Sequence, residues 1–153
     1  MNRRDHWTEL YESRVNERAD LFPGGLHALR GEAALKIVWY ADPARLPGLR
    51  AELDREYEGH LVTVPTDAEN IEFLAPAANK GEALATVAGY YGVEQGATLA
   101  FGDGENDAPM LRWAGLGVAV GTGHDAAKRA AGLVGLDGSP EESFARAVAQ
   151  VMD

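Results

Sequence analysis

The segment FGDGENDAPML, residues 101–111, has residue types that suit chemistry. It brings three carboxylates, those of Asp103, Glu105 and Asp107, into one tight turn. Asp103 follows an apolar run of strand length by one glycine, and ligands of open α/β sheets bind at the carboxyl ends of strands. A carboxylate at such a place suits a hard cation such as Mg²⁺. Asp103 is therefore a candidate metal ligand.

The other two carboxylates of this turn have competing interpretations. The three acids imitate the start of an EF-hand loop, but Ala108 replaces its invariant glycine and Ala114 its bidentate glutamate, so that site is excluded. Asp107 precedes Ala108 and Pro109, a natural helix start. It is predicted either to cap that helix or to take part in chemistry, and both interpretations stay open. Glu105 is predicted to be a solvated turn residue.

Lys80 is the second residue with a chemical interpretation. It is predicted to stand in the first turn of a helix capped by Asn79, where the helix dipole disfavours a positive charge by about 0.3–1 kcal/mol. A lysine at this place is often only solvated, and that interpretation is retained. A helix N-terminus with a lysine also forms an anion site, and a parallel sheet could bring Lys80 and Asp103 together.

Composition and missing motifs exclude several classes of function. The 153 residues include no cysteine, so disulfides, thiolate metal sites and a cysteine nucleophile are excluded. The net charge of −10 makes the chain a poor generic binder of nucleic acids or anionic membranes. The sequence has no P-loop, HExxH or GxSxG motif and no apolar run of about 18 residues that could span a bilayer. Its charged N-terminus does not resemble a secretory signal, and a cytoplasmic location is expected.

The elements predicted after residue 76 alternate between helix and strand, which indicates an open parallel sheet with covering helices. Two continuous apolar runs, ATLAF (97–101) and GLGVAVG (115–121), suit strands that are buried on both faces. GLVGL (132–136) is expected to form a third short strand. The predicted helices cover residues 80–91, 109–114, 122–131 and 139–152, and a capping box at 122–125 opens the third of them.

The first 76 residues are predicted to form a separate α+β unit. Its predicted elements are a polar helix at 5–20, a short strand at 35–40, and a hairpin of two strands at 60–66 and 69–76. Asp42 and Pro43 are interpreted as the N-cap and first position of a second helix, whose start Pro47 and Gly48 could delay. The predicted domains are therefore residues 1–76 and 77–153.

Four segments of the second half form a specific combination. They are NKGEAL (79–84), GDGENDAPML (102–111), AGLGVAVG (114–121) and AAKRAA (126–131). Their order and spacing resemble the C-terminal part of the haloacid dehalogenase-like (HAD) superfamily, and most of all its Cof-type phosphatase branch. The resemblance implies an α/β fold: a partial Rossmann-like HAD core of parallel strands and covering helices, preceded by an α+β remnant of a cap domain.

The resemblance also implies a Mg²⁺-dependent hydrolase of small phosphorylated molecules. The lysine of the family's third motif, here Lys80, would neutralise the nucleophile and the phosphoryl oxygens. In the fourth motif, GDxxND, Asp103 would bind Mg²⁺ while Asn106 and Asp107 would support the metal and phosphate shell. The residues implied are Lys80 and Asp107 as catalytic residues, Lys80 and Asn106 as phosphate ligands, and Asp103 and Asp107 as metal ligands. Phosphoryl transfer depends on charge stabilisation and positioning more than on unusual functional groups.

The sequence departs from the family at the N-terminal motifs. The family's nucleophile lies in a DxDGT motif, but no two aspartates of this chain are spaced i, i+2. The Ser/Thr of the second motif has no evident counterpart. In the segment GTGHD (121–125), Thr122 stands where relatives tend to have an asparagine. The chain is therefore expected to contain the C-terminal portion alone and to have little or no phosphatase activity by itself. The alternative is a non-catalytic phosphate- or metal-binding module, or one subunit of a split enzyme.

The missing motif has a consequence for the strand ATLAF, which begins at Ala97 and ends at Phe101. In the family fold this strand pairs with the strand of the nucleophile motif, so one edge is expected to be open here. Open apolar edges pair with other chains or aggregate. The chain is therefore expected to self-associate, to borrow a strand from a partner chain, or to be marginally stable.

Overall fold

The computed structural model of the chain describes residues 3–22 and 24–152. Its helices and strands form two layers that follow each other along the sequence. The first contains α1 (His6–Val15), β1 (Ile37–Tyr40), α2 (Leu46–Glu56), β2 (Val62–Asp67) and β3 (Asn70–Leu74). The second contains α3 (Lys80–Tyr91), β4 (Leu99–Gly102), α4 (Ala108–Trp113), β5 (Leu116–Ala119), α5 (Asp125–Ala130), β6 (Leu133–Val134) and α6 (Pro140–Met152). Short 3₁₀ turns lie at Gly25–Leu29, Gln95–Ala97 and Glu105–Asp107.

The first layer, called the antiparallel layer below, is a three-stranded sheet in the order β1-β3-β2. The predicted hairpin of β2 and β3 is confirmed, with strands somewhat shorter than the apolar pattern suggested. Leu46 on α2 packs with Ile71 and Phe73 on β3, and these three side chains are at most 9% exposed. The helix α2 therefore covers one face of this sheet by apolar burial.

The second layer, called the parallel layer below, is a sheet in the order β4-β5-β6. All its pairs are parallel: Leu99 lies opposite Leu116, and Ala119 lies opposite Val134. Val118 and Ala119 are completely buried, as expected for a strand covered on both faces. The α/β class with a parallel sheet and the third short strand are thus confirmed. The sheet type changes between Leu74 and Lys80, while the domain boundary near residue 76 stays a prediction.

One helix end and one helix start in the antiparallel layer differ from the predictions. The helix α1 ends at Val15 instead of residue 20, because Asn16 adopts a left-handed conformation with φ of 53°. Asp42 does not cap a helix. Its side chain accepts a hydrogen bond from the Ala44 amide at 2.9 Å within a turn, and α2 begins four residues later, at Leu46. Pro47 stands in the first turn of α2, where its missing N–H removes no helical hydrogen bond.

The capping box predicted at residues 122–125 is wrong. The helix α5 begins at Asp125, and His124 in the capping position makes no side-chain hydrogen bond to it. The hydroxyl of Thr122 instead lies 2.8 Å from the hydroxyl of Ser143 on α6. Ser143 is 1% exposed, so this contact ties the loop after β5 to the buried side of α6.

The strand β4 lies at an edge of the parallel sheet. Among the described residues it pairs with β5 alone. The carbonyl groups of Thr98, directly before β4, and of Gly102, at its end, accept hydrogen bonds from the amides of Leu116 and Val120, at 3.0 and 2.9 Å. Because alternate residues of a strand direct their backbone groups to opposite sides, the polar backbone groups of residues 99 and 101 lie on the open side. Within the described ranges, no helix has the length and apolar character needed to cross a membrane.

Candidate functional site

The predicted site residues meet where β4 ends and α3 begins. Lys80 donates a hydrogen bond from its ammonium group to Oδ1 of Asp107, forming an ion pair across the two elements. The Asp107 side chain is 6% exposed and that of Lys80 49% exposed. The sequence left open that a parallel sheet brings Lys80 and Asp103 together; both line one cavity, and the direct partner of Lys80 is Asp107. The ammonium group has three N–H donors, so this bond leaves the lysine with further donors.

The second oxygen of Asp107 organises the turn. Its Oδ2 accepts hydrogen bonds from the backbone amides of Asp103 and Gly104, at 3.0 and 2.9 Å. No amide of α4 donates to this side chain, so the structure does not show the helix-capping role that the sequence left open. Burial raises the pKa of Asp107, but the hydrogen bonds from Lys80, Gly104 and Asp103 outweigh it and hold the pKa below its ordinary value.

Position 102 requires glycine because a side chain there would collide with Asp107. A Cβ atom at position 102 would lie 2.5 Å from Cβ of Asp107. Neither Gly102 nor Gly104 has a φ in the left-handed region, so backbone conformation does not require glycine at either position. A Cβ at position 104 would likewise lie 2.5 Å from Oδ1 of Asn106. Both glycines therefore admit polar side chains that fold back over the turn.

Asp103 has a different environment from Asp107. Its residue is exposed, and its backbone carbonyl accepts a hydrogen bond from the His124 amide at 2.7 Å. Its carboxylate makes no hydrogen bond or ion pair with another described residue, and the same holds for the half-buried side-chain amide of Asn106. Oxygen atoms of both side chains are thus available to a ligand.

The carboxylate of Asp103, unpaired among the described residues, has the chemistry of a Mg²⁺ ligand. Within residues 3–22 and 24–152, no three His, Cys, Asp or Glu side chains could enclose a metal by themselves. Mg²⁺ does not need such an enclosure, because it is usually held by one or two carboxylates together with waters and substrate phosphate oxygens. The carboxylate of Asp103 is free for this role, whereas that of Asp107 already accepts three hydrogen bonds.

The helix α3 holds Lys80 in place through two local contacts. Oδ1 of Asn79 accepts hydrogen bonds from the amides of Gly81 and Glu82, at 2.9 and 3.0 Å, which confirms the predicted N-cap. Gly81 lets α3 approach α4 closely, because a Cβ atom there would lie 2.8 Å from the carbonyl oxygen of Pro109. The lysine is therefore positioned from a capped and closely packed helix end.

Arg50 is a site residue that the sequence analysis missed. It lies on α2, and its guanidinium group forms an ion pair with Glu105, so Glu105 is not the solvated turn residue that was predicted. The two residues are 55 positions apart in the sequence, and no local pattern links them. A lone arginine on an amphipathic helix gives no signal of its partner.

A cavity of about 920 Å³ lies between the two layers at this place. The parallel layer contributes Lys80, Asp103, Asn106, Asp107 and His124, and the antiparallel layer contributes Arg50, Thr66, Asp67 and Asn70. All four predicted site residues therefore line one cavity. Its wall holds cationic, anionic and neutral polar groups, which suits a polar ligand.

Comparisons with known proteins show the family and the fold of the chain. A family described as haloacid dehalogenase-like hydrolase matches residues 4–147. The chain is 46% identical over 112 residues to 5-amino-6-(5-phospho-D-ribitylamino)uracil phosphatase YitU of Bacillus subtilis, a match that covers 71% of this chain and 41% of that protein.

Two solved structures have the same fold. A haloacid dehalogenase-like hydrolase from Bacillus subtilis superposes with a TM-score of 0.72 at 26% identity, covering 94% of this chain and 51% of the other. One from Bacteroides thetaiotaomicron gives a TM-score of 0.70 at 22% identity, covering 94% and 53%. The chain thus spans about half the length of these structures and less than half of the curated relative. It belongs to the haloacid dehalogenase-like hydrolase family.

Proposed function

We propose that this chain forms the metal- and phosphate-binding part of a Mg²⁺-dependent phosphatase of small phosphorylated metabolites. The observation that supports it is the convergence of Lys80, Asp103 and Asp107 on one cavity at the carboxyl end of β4. Ligands of open α/β sheets bind at such ends. The name of the similar phosphatase YitU describes its substrate as a small phosphorylated compound.

Each residue has a distinct task in this proposal. Asp103 would hold Mg²⁺ through its free carboxylate, and the bound cation would neutralise charge on the phosphoryl oxygens. Lys80 would donate its remaining N–H groups to the same oxygens. Asp107 would orient Lys80 and fix the turn, and Asn106 would donate its side-chain amide to the phosphate. Phosphoryl transfer responds mainly to this kind of positioning and charge.

The chain lacks the motif that carries the nucleophile in the family it resembles. The resemblance implies an aspartate in a DxDGT motif, and this sequence has no pair of aspartates spaced i, i+2. We therefore propose that the 153-residue chain alone has little or no phosphatase activity. The open side of β4 would accept a strand from the polypeptide that supplies the nucleophile, as in one subunit of a split enzyme, or from a second copy of this chain.

The metal-binding part of the proposal can be tested by calorimetric titration of the full chain with Mg²⁺ in the presence of inorganic phosphate. We expect binding by the unchanged chain and a loss of at least about tenfold in Asp103→Asn, because the remaining ligands are waters and phosphate. Asp137→Asn is the matched control, because this exposed aspartate lies outside the cavity lining. Absence of Mg²⁺ binding, or equal binding by Asp103→Asn, would contradict the assignment.

The activity part is tested with p-nitrophenyl phosphate and Mg²⁺. We expect no turnover above the uncatalysed rate with the purified chain. Robust turnover that disappears in Asp103→Asn would show that the chain is active by itself and would overturn the proposed need for a second polypeptide.

A further inference from the structure

The side chain of Arg50 joins the two layers of the molecule. Towards the parallel layer, its Nη1 donates to Oε2 of Glu105 at 3.2 Å, and its Nη2 donates to Oε1 of the same carboxylate. This two-bond geometry is the fork that a guanidinium group offers to a carboxylate, and it is stronger and more directional than a single ionic contact. Lysine cannot reproduce it.

The antiparallel layer holds Arg50 in the orientation that this contact requires. Nη2 also donates to the carbonyl of Thr63 at 3.2 Å, and Nε donates to the Thr63 hydroxyl at 3.3 Å. That hydroxyl donates in turn to Asp54, whose other oxygen lies 3.6 Å from Nε of Arg50. The guanidinium is thus fixed by α2 and β2 before it meets Glu105, and the contact needs little further ordering of the arginine.

The contact with Arg50 involves the turn that carries the proposed site residues, because Glu105 is part of that turn. Glu105 stands between Asp103 and Asp107 in the turn that follows β4, so a bond to its side chain restrains the turn itself. Arg50 and Glu105 are 30% and 37% exposed, and the hydrogen bonds that Arg50 donates to the Glu105 carboxylate raise the pKa of Arg50. Both residues line the cavity that contains Lys80 and Asp103. The pair therefore lies at the rim shared by the cavity, the turn and the antiparallel layer.

We infer that Arg50 is a positioning residue that clasps Glu105, holds the turn of residues 103–107, and keeps the antiparallel layer closed over the cavity. Release of this pair lets the two layers separate and opens the cavity to a ligand. The contact between Arg50 and Glu105 is called the clasp below. Its role in catalysis rests on the proposed function, whereas its effect on the distance between the two layers can be measured without any ligand.

The chain offers a direct measurement of the clasp because it contains no cysteine. Cysteines introduced at Glu52 on α2 and Val87 on α3, both exposed, take spin labels whose separation is measured by pulsed electron paramagnetic resonance. We expect one narrow distance distribution in the labelled parent. Arg50→Met and Glu105→Gln should each add a population at longer distance. The double variant should add no more than either single change, because both remove the same bond.

A control variant and two conservative variants accompany the distance measurement. Arg55→Met is the matched control, since Arg55 lies on the same helix and bonds to the carbonyl of Ala51 within it. Arg50→Lys keeps the charge but not the fork, so it should also show the longer distance, to a smaller extent. If Arg50→Met does not fold, as judged by circular dichroism, Glu105→Gln and Arg50→Lys decide the matter. Unchanged distances in the folded variants would overturn the clasp.

A second readout separates the clasp from the proposed function. Mg²⁺ titration in the presence of inorganic phosphate should show weaker binding in Glu105→Gln, because the turn that presents Asp103 is no longer restrained. If the unchanged chain binds no Mg²⁺, the proposed function fails while the distance measurement still decides the clasp. If the distances change but Mg²⁺ affinity does not, the clasp closes the layers without positioning the turn, and the positioning role is overturned.

Discussion

Lys80 and Asp107 lie 27 positions apart in the sequence and form an ion pair that joins the start of α3 to the turn after β4. The relationship is asymmetric, because the aspartate side chain is almost completely buried and the lysine side chain is about half exposed. The aspartate offsets the unfavourable position of a lysine at a helix N-terminus, where the dipole repels a cation. The ion pair thus fixes the position of the Lys80 ammonium group at the cavity that both residues line.

The removal of Asp107 is predicted to weaken the fold as well as the site. In Asp107→Ala the amides of Asp103 and Gly104 lose their acceptor, and Lys80 loses its partner. We expect a decrease of about 1–3 kcal/mol in the free energy of unfolding, measured by urea denaturation, because three hydrogen bonds to a buried carboxylate are lost. Asp103→Asn changes an exposed side chain and should alter stability by less than about 0.5 kcal/mol. Equal losses in both variants would contradict the structural role of Asp107.

The same carboxylate is predicted to make stability depend on pH. Its pKa is lower in the folded chain than in the unfolded chain, where it is about 3.9, so the unfolded state binds the proton more readily. The stabilisation is complete above that value and is lost as the pH falls through the folded pKa. The difference in unfolding free energy between the parent chain and Asp107→Asn should therefore be constant at neutral pH and shrink below pH of about 4. A difference that grows on acidification would have the wrong sign.

Gly102→Ala is predicted to displace Asp107. The added Cβ would lie 2.5 Å from Cβ and 2.9 Å from Cγ of that residue, so the carboxylate has to move away from its donors. We expect a loss of about 1–3 kcal/mol in unfolding free energy, in the range of overpacked sites. Gly89→Ala is the matched control, because a Cβ on this residue of α3 meets no atom within 4 Å. That control should stabilise the chain by about 0.5–1 kcal/mol, as alanine does in helices. Destabilisation by both changes would refute the steric explanation.

Asn79→Ala is predicted to loosen the helix end that holds Lys80. The change removes the acceptor for the amides of Gly81 and Glu82, which costs about 0.5–2 kcal/mol at such positions. Asn79→Asp keeps the acceptor and should retain most of the stability. Urea denaturation followed by circular dichroism measures the free energy of unfolding of both variants. An unchanged value in Asn79→Ala would show that the cap is dispensable.

Local features of the fold could be predicted from the sequence because their signals span only a few residues. The cap at Asn79 and the buried strand around Val118 follow from residue types within one turn or one strand. The bond between Thr122 and Ser143 could not be predicted, because a threonine before a polar turn equally suits a capping box, and the true partner is 21 positions away. The pairing of Arg50 with Glu105 depends on how two layers meet, and that relation has no local sequence pattern.

Leu99→Pro is predicted to block strand addition at the open side of β4 without unfolding the chain. The amide of residue 99 lies on that open side, since its neighbour Thr98 directs its carbonyl to Leu116. A proline there removes a donor that β5 does not use, and Thr98, with φ of −98° and ψ of 140°, already has the extended conformation required before proline. If β4 pairs with another copy, the unchanged chain should associate with increasing concentration in sedimentation velocity, and Leu99→Pro should remain monomeric. Leu99→Thr, which keeps the amide, should associate like the parent. Association that persists in folded Leu99→Pro would show that another surface is responsible.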